Sequence, residues 1–289
     1  MDPCVQCPAC RTRVTPLITP EDALSRIPGW DGESDVDEIS GGLTNRSFVV
    51  RSRNGVFILR LDAGHTKTFG LDRSVELKVL REAANADIAP KVRFADPDAG
   101  ILLYEYLPGP VWERASLDDR HNLERLSALL RTVHSLPASG AVLDGAAAAD
   151  RYAATASVNA DLRRFAAHCV GIVRATPPSL SPACCHNDVV AANIVGTSSL
   201  KLLDWEYACD NDPYFDLASL VAYHDLGSKH VGMLLDSYAG GRNPEAKERL
   251  QLQLRIYDAI QWLWLAAKHV VDPSCDHRAR LEQLRHRLR

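Results

Sequence analysis

The chain has 289 residues, 46% of them hydrophobic, which is enough to bury the core of two lobes. Its formal net charge of −4 argues against a nucleic-acid groove, which would need a clustered basic excess. No apolar run approaches the roughly 20 residues that span a bilayer, and the start lacks the basic-then-apolar pattern of a signal peptide. We therefore expect a cytoplasmic protein whose partner is neither nucleic acid nor a membrane.

The first 16 residues form a cysteine-containing segment. Cys4, Cys7 and Cys10 have the spacing C-x2-C-x2-C, but zinc and iron–sulfur sites usually take four ligands, and no fourth lies nearby. We therefore expect residues 1–16 to be a disordered leader. A metal-binding regulatory segment is the alternative, which a zinc assay on the chain with and without these residues would decide.

A sheet with one helix is predicted between residues 17 and 107. The dipeptide Asn54-Gly55 separates two stretches rich in Val, Ile and Phe, which is a strong hairpin signal. Residues 72–86 carry apolar side chains among charges at helical spacing. The predicted strands cover residues 47–53, 56–62, 92–95 and 101–107.

The segment Pro108-Gly109-Pro110 ends this region, because proline and glycine interrupt strands. We place a lobe boundary there, between an N-lobe of residues 17–107 and a C-lobe of residues 108–289. Leucines at 123, 126, 129 and 130, together with Val133, repeat at intervals of three and four and predict a helical face. Helical patterns dominate the remainder of the C-lobe.

Three polar residues interrupt these helical patterns at two short apolar strands. Asp188 lies in a polar turn, Asn193 follows five residues later, and Asp204 ends the second strand. Asp and Asn between apolar runs often only make turns. Their order and strand context favour a phosphoryl-transfer site instead, in which Asp188 accepts the proton of a substrate hydroxyl while Asn193 and Asp204 hold Mg²⁺.

Three strings around these residues resemble a known family. His186-Asn187-Asp188 with Asn193, the string LLDWEYA at 202–208 and the string NDPYFDLA at 211–218 look like the choline, ethanolamine and thiamine kinase branch of the aminoglycoside phosphotransferase superfamily. The resemblance runs from about Gly41 to Trp264. It implies an α+β, bilobal, protein-kinase-like fold, with a small antiparallel-sheet N-lobe, a mostly helical C-lobe, and ATP and Mg²⁺ as cofactors.

The same resemblance assigns a nucleotide site to the small lobe. Residues 40–47 look like the phosphate-covering loop, which contains Gly41, Gly42 and Asn45. Arg60 shares a strand face with Ile58, so we expect its guanidinium to point into a cleft and bind phosphate. Glu76 is the expected ion-pair partner, the alternative being a surface salt bridge. Adenine is expected to bond backbone groups of Glu105 and Leu107.

The acceptor site is predicted after Asp204. A cationic alcohol is bound by aromatic faces and a carboxylate, and the candidates are Glu206, Tyr207, Tyr223, Trp262 and Trp264. The two tryptophans are two positions apart, about 200° on a helix, so they cannot both face one cavity. Each could equally be a core residue. The expected acceptor is choline or ethanolamine, with thiamine as an alternative.

Two other classes of function stay open at this level. An aminoglycoside kinase would need an acidic, open cleft for polycationic sugars. A catalytically dead kinase-like binding module would lack one of Asp188, Asn193 and Asp204, and all three are present. We therefore expect an active small-molecule kinase.

Overall fold

The structure, a computed structural model, describes residues 18–30, 32–39, 44–157, 159–177, 179–196, 199–241, 243–274 and 276–289. The predictions for Cys4, Cys7, Cys10, Gly41 and Gly42 concern residues outside these ranges. Among the residues described, no helix has both the length and the apolar character needed to cross a membrane.

The N-terminal part is built on a five-stranded antiparallel sheet. Its strand order is β1-β2-β3-β5-β4, with every neighbouring pair antiparallel. The elements are α1 (Pro20–Ser25), β1 (Ser34–Ile39), β2 (Asn45–Ser52), β3 (Gly55–Asp62), α2 (Thr66–Phe69), α3 (Arg73–Asn85), β4 (Val92–Asp96) and β5 (Ile101–Glu105).

The predicted hairpin is present, with its turn displaced by one residue. Ser52 pairs with Gly55, so Arg53 and Asn54 form the two-residue loop. Gly55 begins the second strand at φ 128°, a backbone conformation that side chains with a Cβ rarely adopt. The glycine is therefore needed for the entry into β3 rather than for the tip of the turn.

The central strand β3 is buried on both faces. Phe57, Leu59 and Leu61 pack with Ile101 and Leu103 in a core that is covered by α1. The alternate residues, Ile58 and Arg60, point to the opposite face, and Arg60 is only 7% exposed. The alternation thus brings one charged side chain into the interior of the molecule.

Helix α3 (Arg73–Asn85) begins and ends one residue inside the predicted range of residues 72–86. The Asp72 side chain accepts hydrogen bonds from the N–H groups of Ser74 and Val75 and so caps the first turn. Val79, Leu80 and Ala83 are buried in a core cluster that also contains Leu102 of β5. Glu76 lies three and four positions before Val79 and Leu80, on the same buried side of the helix.

The C-terminal part is mostly helical, which confirms the expected fold class. Its elements are α4 (Arg120–His134), α5 (Gly145–Ala156), α6 (Ala160–Arg174), β6 (Ala183–Cys185), β7 (Ile194–Val195), β8 (Lys201–Leu202), β9 (Cys209–Asn211), α7 (Pro213–Tyr223), α8 (Ser228–Ala239), α9 (Pro244–Val271) and α10 (Arg278–Arg287). Strand β6 pairs with β9, and β7 pairs with β8.

The chain changes partners after β5. Trp112 N–H donates to the Ile194 carbonyl at 2.8 Å, and Val111 forms a bridge with Val195. The segment after Pro110 therefore belongs to the strand pair of the C-terminal part. This change supports the proposed lobe boundary at residues 108–110.

Candidate active site

The loop after β6 is held in place by a buried carboxylate at the start of α7. Asp216 is fully buried and accepts the N–H of His186 at 2.9 Å and of Asn187 at 2.6 Å. His134 Nε2 lies 3.0 Å from the same carboxylate. Asn187 has φ 65°, a conformation that Asn tolerates better than most residues. These contacts give Asp216 a structural role, which is to hold the backbone of the loop at His186 and Asn187.

His186 is a packing residue beneath this loop. Its Nε2 lies 2.8 Å from the Leu203 carbonyl, and its ring packs edge-on against Trp205, with centroids 4.8 Å apart. Burial lowers the pKa of His186, so the imidazole is neutral at physiological pH. It fixes the distance between the loop and the end of β8.

Two further contacts connect the loop to α7. Ser219 Oγ accepts the Val189 N–H at 3.1 Å, and His224 Nε2 accepts the Ala191 N–H at 3.0 Å. Two backbone amides between Asp188 and Asn193 are thus satisfied by side chains of α7 and of its C-cap residue. The loop that carries the predicted catalytic residues is therefore held at its start by Asp216 and further along by Ser219 and His224.

Asp188 and Asn193 are in direct contact. Asn193 Nδ2 donates to Asp188 Oδ2 at 3.1 Å and to the Asp188 carbonyl at 3.0 Å. Since the amide nitrogen faces Asp188, the amide oxygen of Asn193 faces the other way. Burial, reinforced by the charge of Glu206, raises the pKa of Asp188 to about 7.

Asp204 reaches the same place through the β7–β8 pair. Leu203 N–H donates to the Asn193 carbonyl at 2.8 Å, which sets Asp204 beside Asn193. Its side chain is 42% exposed. The surrounding protein nevertheless desolvates the carboxylate, and this raises the pKa of Asp204 to about 6. The Asn193 amide oxygen and the Asp204 carboxylate are hard oxygen donors, so this donor set fits Mg²⁺.

Arg60 and Glu76 form the predicted ion pair in the interior. Arg60 Nη2 contacts Glu76 Oε1, and both side chains are less than 10% exposed. Arg60 Nη1 lies 3.4 Å from Asp204 Oδ1, so the guanidinium faces the segment that follows β8. The pair is therefore not a surface salt bridge.

Glu206 lies between the two lobes, and this corrects the expectation that it lines the acceptor pocket. It is buried, and it contacts Thr44 Oγ1 and, at 2.6 Å, Asn45 Nδ2. Arg73 Nη1 lies 3.2 Å from Glu206 Oε2. Both carboxylate oxygens thus face the small lobe rather than the acceptor. Burial, with the charge of Asp204, raises the pKa of Glu206 to about 7.

Thr44 and Arg73 are site residues that the sequence reading missed. Arg73 lies three positions before Glu76 and contacts it at 3.0 Å, a spacing that could have identified the pair. Arg73 and Glu206 are 133 positions apart in the sequence, so no local pattern predicts their contact.

The hydrogen bonds of the backbone after β5 limit which of its groups could bind adenine. The N–H of Glu105 donates to the Lys91 carbonyl at 2.9 Å, and the N–H of Tyr106 donates to the Val56 carbonyl at 3.1 Å. The next backbone N–H group along the chain is that of Leu107, and Pro108 has no N–H group. A donor to adenine at this place would therefore come from Leu107, while the contact predicted for Glu105 would use its carbonyl.

The four predicted aromatic residues fall in different environments. Trp264 Nε1 donates to Tyr207 Oη at 2.8 Å, and both side chains are partly exposed. Trp262 is fully buried and packs against Phe165, which corrects its assignment to the acceptor site. Tyr223 is 47% exposed, but the Arg280 guanidinium lies over its ring, which makes it a poor face for a second cation.

The geometry is that of a phosphotransferase. A hydroxyl would meet Asp188, nucleotide phosphates would meet Arg60, and both groups would converge on Asn193 and Asp204. Phosphoryl transfer is catalysed by such positioning and by charge stabilisation. The fold and the site together define a small-molecule kinase with a kinase-like fold.

Comparisons with known proteins agree with this class. Residues 35–264 match the model of the phosphotransferase enzyme family. A choline/ethanolamine kinase family protein from Mesorhizobium loti has a similar structure, with TM-score 0.72 and 26% identity over 93% of this chain and 92% of that one. The choline kinase LicA from Streptococcus pneumoniae gives TM-score 0.73 at 20% identity, covering 88% of this chain and 91% of the other, a likeness of fold.

One curated relative matches over a shorter range. Protein LicA of Haemophilus influenzae is 32% identical over 92 residues, which is 29% of this chain and about a third, 34%, of that protein. The chain belongs to the phosphotransferase enzyme family, and among solved structures it is similar to the choline/ethanolamine kinase family protein from Mesorhizobium loti.

Proposed function

We propose that this kinase transfers the γ-phosphoryl group of ATP to the hydroxyl of a small cationic alcohol, choline or ethanolamine, with Mg²⁺. The observation that carries the proposal is the partly exposed Tyr207–Trp264 pair, in which Tyr207 lies three residues after Asp204. The names of the structural relatives from Mesorhizobium loti and Streptococcus pneumoniae support the same acceptors.

The reaction places distinct demands on the residues of the site. Asp188 orients the acceptor hydroxyl and accepts its proton as the bond to phosphorus forms. Asn193 holds the Asp188 carboxylate in position through its amide nitrogen. Arg60, kept in place by Glu76, neutralises negative charge on the phosphates. Mg²⁺, held by Asn193 and Asp204, would supply further charge stabilisation when bound.

The cation of the acceptor would lie against the Tyr207–Trp264 pair. A desolvated ammonium over an aromatic face gains about 2 kcal/mol, which corresponds to more than a tenfold change in affinity. Phe69 packs against Trp264 with ring centroids 5.3 Å apart, so the tryptophan is held by its neighbours before the acceptor binds. We expect Trp264→Leu to raise the KM for the acceptor and to leave the KM for ATP unchanged.

An ADP-release assay tests the proposal. Purified protein is supplied with ATP and Mg²⁺ and with choline, ethanolamine, thiamine, several sugars or kanamycin in turn. Turnover of choline or ethanolamine is the expected result. Turnover of kanamycin with none of the cationic alcohols would replace the proposal with an antibiotic kinase, and turnover of thiamine alone would replace it with a thiamine kinase.

A further inference from the structure

Five charged side chains form a continuous series across the cleft. In order they are Asp204, Arg60, Glu76, Arg73 and Glu206, and we call this series the ion chain. Neighbours alternate in sign, and each pair is in contact at 3.4 Å or less. Both ends lie in the metal-binding segment of the C-lobe, while the three central members belong to the small lobe. The ion chain is thus attached twice to the same short segment.

Arg73 contacts three side chains at once, whereas a simple salt bridge joins two. Its Nη1 lies 3.0 Å from Glu76 and 3.2 Å from Glu206, and its Nη2 donates to Asn45 Oδ1 at 2.6 Å. The side chain is 9% exposed. The planar guanidinium provides these donors in fixed directions, which a lysine ammonium cannot do.

The alternation of charge determines which carboxylate is left for a metal. Arg60 pairs with Glu76, and Arg73 joins Glu76 to Glu206. Among the residues that the structure describes, the ion-pair partner of Asp204 is Arg60 at 3.4 Å, which is the longest contact of the series. Glu206 is therefore neutralised by the small lobe, whereas Asp204 remains available to a divalent cation.

We propose that Arg73 is a positioning residue for the nucleotide, acting through Glu76 and Glu206. By holding Glu76 it fixes the direction of the Arg60 guanidinium. By holding Glu206 and Asn45 it draws the start of β2 onto the C-lobe, at the place where the resemblance puts the end of the phosphate-covering loop. The inference rests on the kinase activity alone and is independent of which alcohol is phosphorylated.

The test compares ATP binding in four variants by calorimetry, with MgCl₂ and with EDTA, and without any acceptor. The variants are Arg73→Met, Arg73→Lys, Arg73→Met combined with Glu206→Gln, and Arg81→Met. Arg81 lies on the exposed side of α3 and is the matched control. Unfolding temperatures are measured in parallel, so that loss of stability and loss of nucleotide affinity are separated.

Arg73→Met is expected to weaken ATP binding by about tenfold or more, since it removes charge-assisted hydrogen bonds within a buried site. The double variant should bind ATP more tightly than Arg73→Met alone, because it removes the unpaired charge of Glu206 that would face the phosphates. Arg73→Lys should lie between the parent and Arg73→Met, and Arg81→Met should equal the parent.

A purely structural role would give a different pattern. Unfolding temperatures would then fall in the Arg73 variants while their ATP affinity stayed at the parent value, and the proposal would be overturned. A double variant that binds ATP more weakly than Arg73→Met would also overturn it. If Arg73→Met does not fold, Arg73→Lys decides, since unchanged affinity in that variant contradicts the need for the planar fork.

Discussion

At the scale of single residues, the site separates two tasks that carboxylates perform in phosphoryl transfer. Asp188 is held by the amide nitrogen of Asn193, which suits a base that must point at a hydroxyl. Asp204 faces Arg60 across 3.4 Å and is partly open to the cleft, which suits a metal ligand. The two side chains are chemically identical, so the difference in role comes from their partners.

Substitution of each carboxylate should therefore have a different effect. We expect Asp188→Asn to lower turnover by about 10²–10⁴-fold, the usual contribution of a positioned base, and to leave ATP affinity nearly unchanged. The measurements are steady-state turnover and ATP calorimetry, with Asp35→Asn, an exposed residue of β1, as control. Near-parent turnover in Asp188→Asn would show that another group takes the proton.

At the scale of elements, α7 is the support of the catalytic loop. Its first turn supplies Asp216, its middle supplies Ser219, and its C-terminal cap residue is His224. Each accepts a backbone N–H of the loop, from His186 and Asn187, from Val189 and from Ala191. The loop has little regular structure of its own, so its conformation depends on these hydrogen bonds to α7 and its cap residue.

This support should depend on pH through His224. Burial, with Arg114 and Arg280 nearby, lowers the pKa of His224 to about 4, and its Nε2 must be unprotonated to accept the Ala191 N–H. Stability from this group is therefore complete above about pH 6.5, the unfolded pKa of histidine. It is lost as the pH falls towards 4, because the unfolded chain then binds the proton more readily.

The size of the effect is limited because His224 is only partly buried. We expect the free energy of unfolding to fall by about 1 kcal/mol between pH 6.5 and pH 4 from this residue, after allowance for screening by solvent. Denaturant titrations at several pH values measure it. In His224→Gln, whose side-chain oxygen accepts a hydrogen bond without titrating, this part of the slope should disappear; an unchanged slope would contradict the assignment.

At the scale of the whole molecule, the small lobe and the C-lobe meet at charged groups. The Arg60–Asp204 and Arg73–Glu206 contacts cross the cleft, and the hydrogen bonds of Thr44 and Asn45 to Glu206 add to them. Apolar contacts join the lobes as well, since Phe69 and Leu71 pack in a core with α5, α6 and α9, and Val79, Leu80 and Leu102 pack in a core with C-lobe residues. Because the charged contacts line the cleft, the relative position of the lobes should also respond to the charges that bind there.

Binding of ATP with Mg²⁺ should stabilise the protein as a whole. At a ligand concentration 100 times the dissociation constant, we expect a gain of about 2.7 kcal/mol in the free energy of unfolding. Thermal unfolding with ATP, in MgCl₂ or in EDTA, measures this gain. Asp204→Asn should remove the difference between the two conditions, and a variant that retains it would show that Asp204 does not hold the metal.

The sequence predicts the local features well and the distant contacts poorly. Strand alternation predicts that Arg60 faces inward, and the family resemblance indicates Glu76 of the following helix as its partner. The partners of Glu206 could not be predicted, because Arg73 and Asn45 are far away in the sequence and carry no shared pattern. Similarly, the spacing of Trp262 and Trp264 excluded a common cavity, but only tertiary packing decides which ring is buried.

The double attachment of the ion chain has a mechanical consequence. The ion chain adds a connection at the cleft to those made by the backbone from Glu105 to Trp112 and by the apolar cores that contain residues of both lobes. Because Arg73 contacts Glu76, Glu206 and Asn45, a displacement of α3 is transmitted both to the Arg60 guanidinium and to the start of β2. Any shift of the small lobe over the C-lobe should therefore move these two parts of the nucleotide site together.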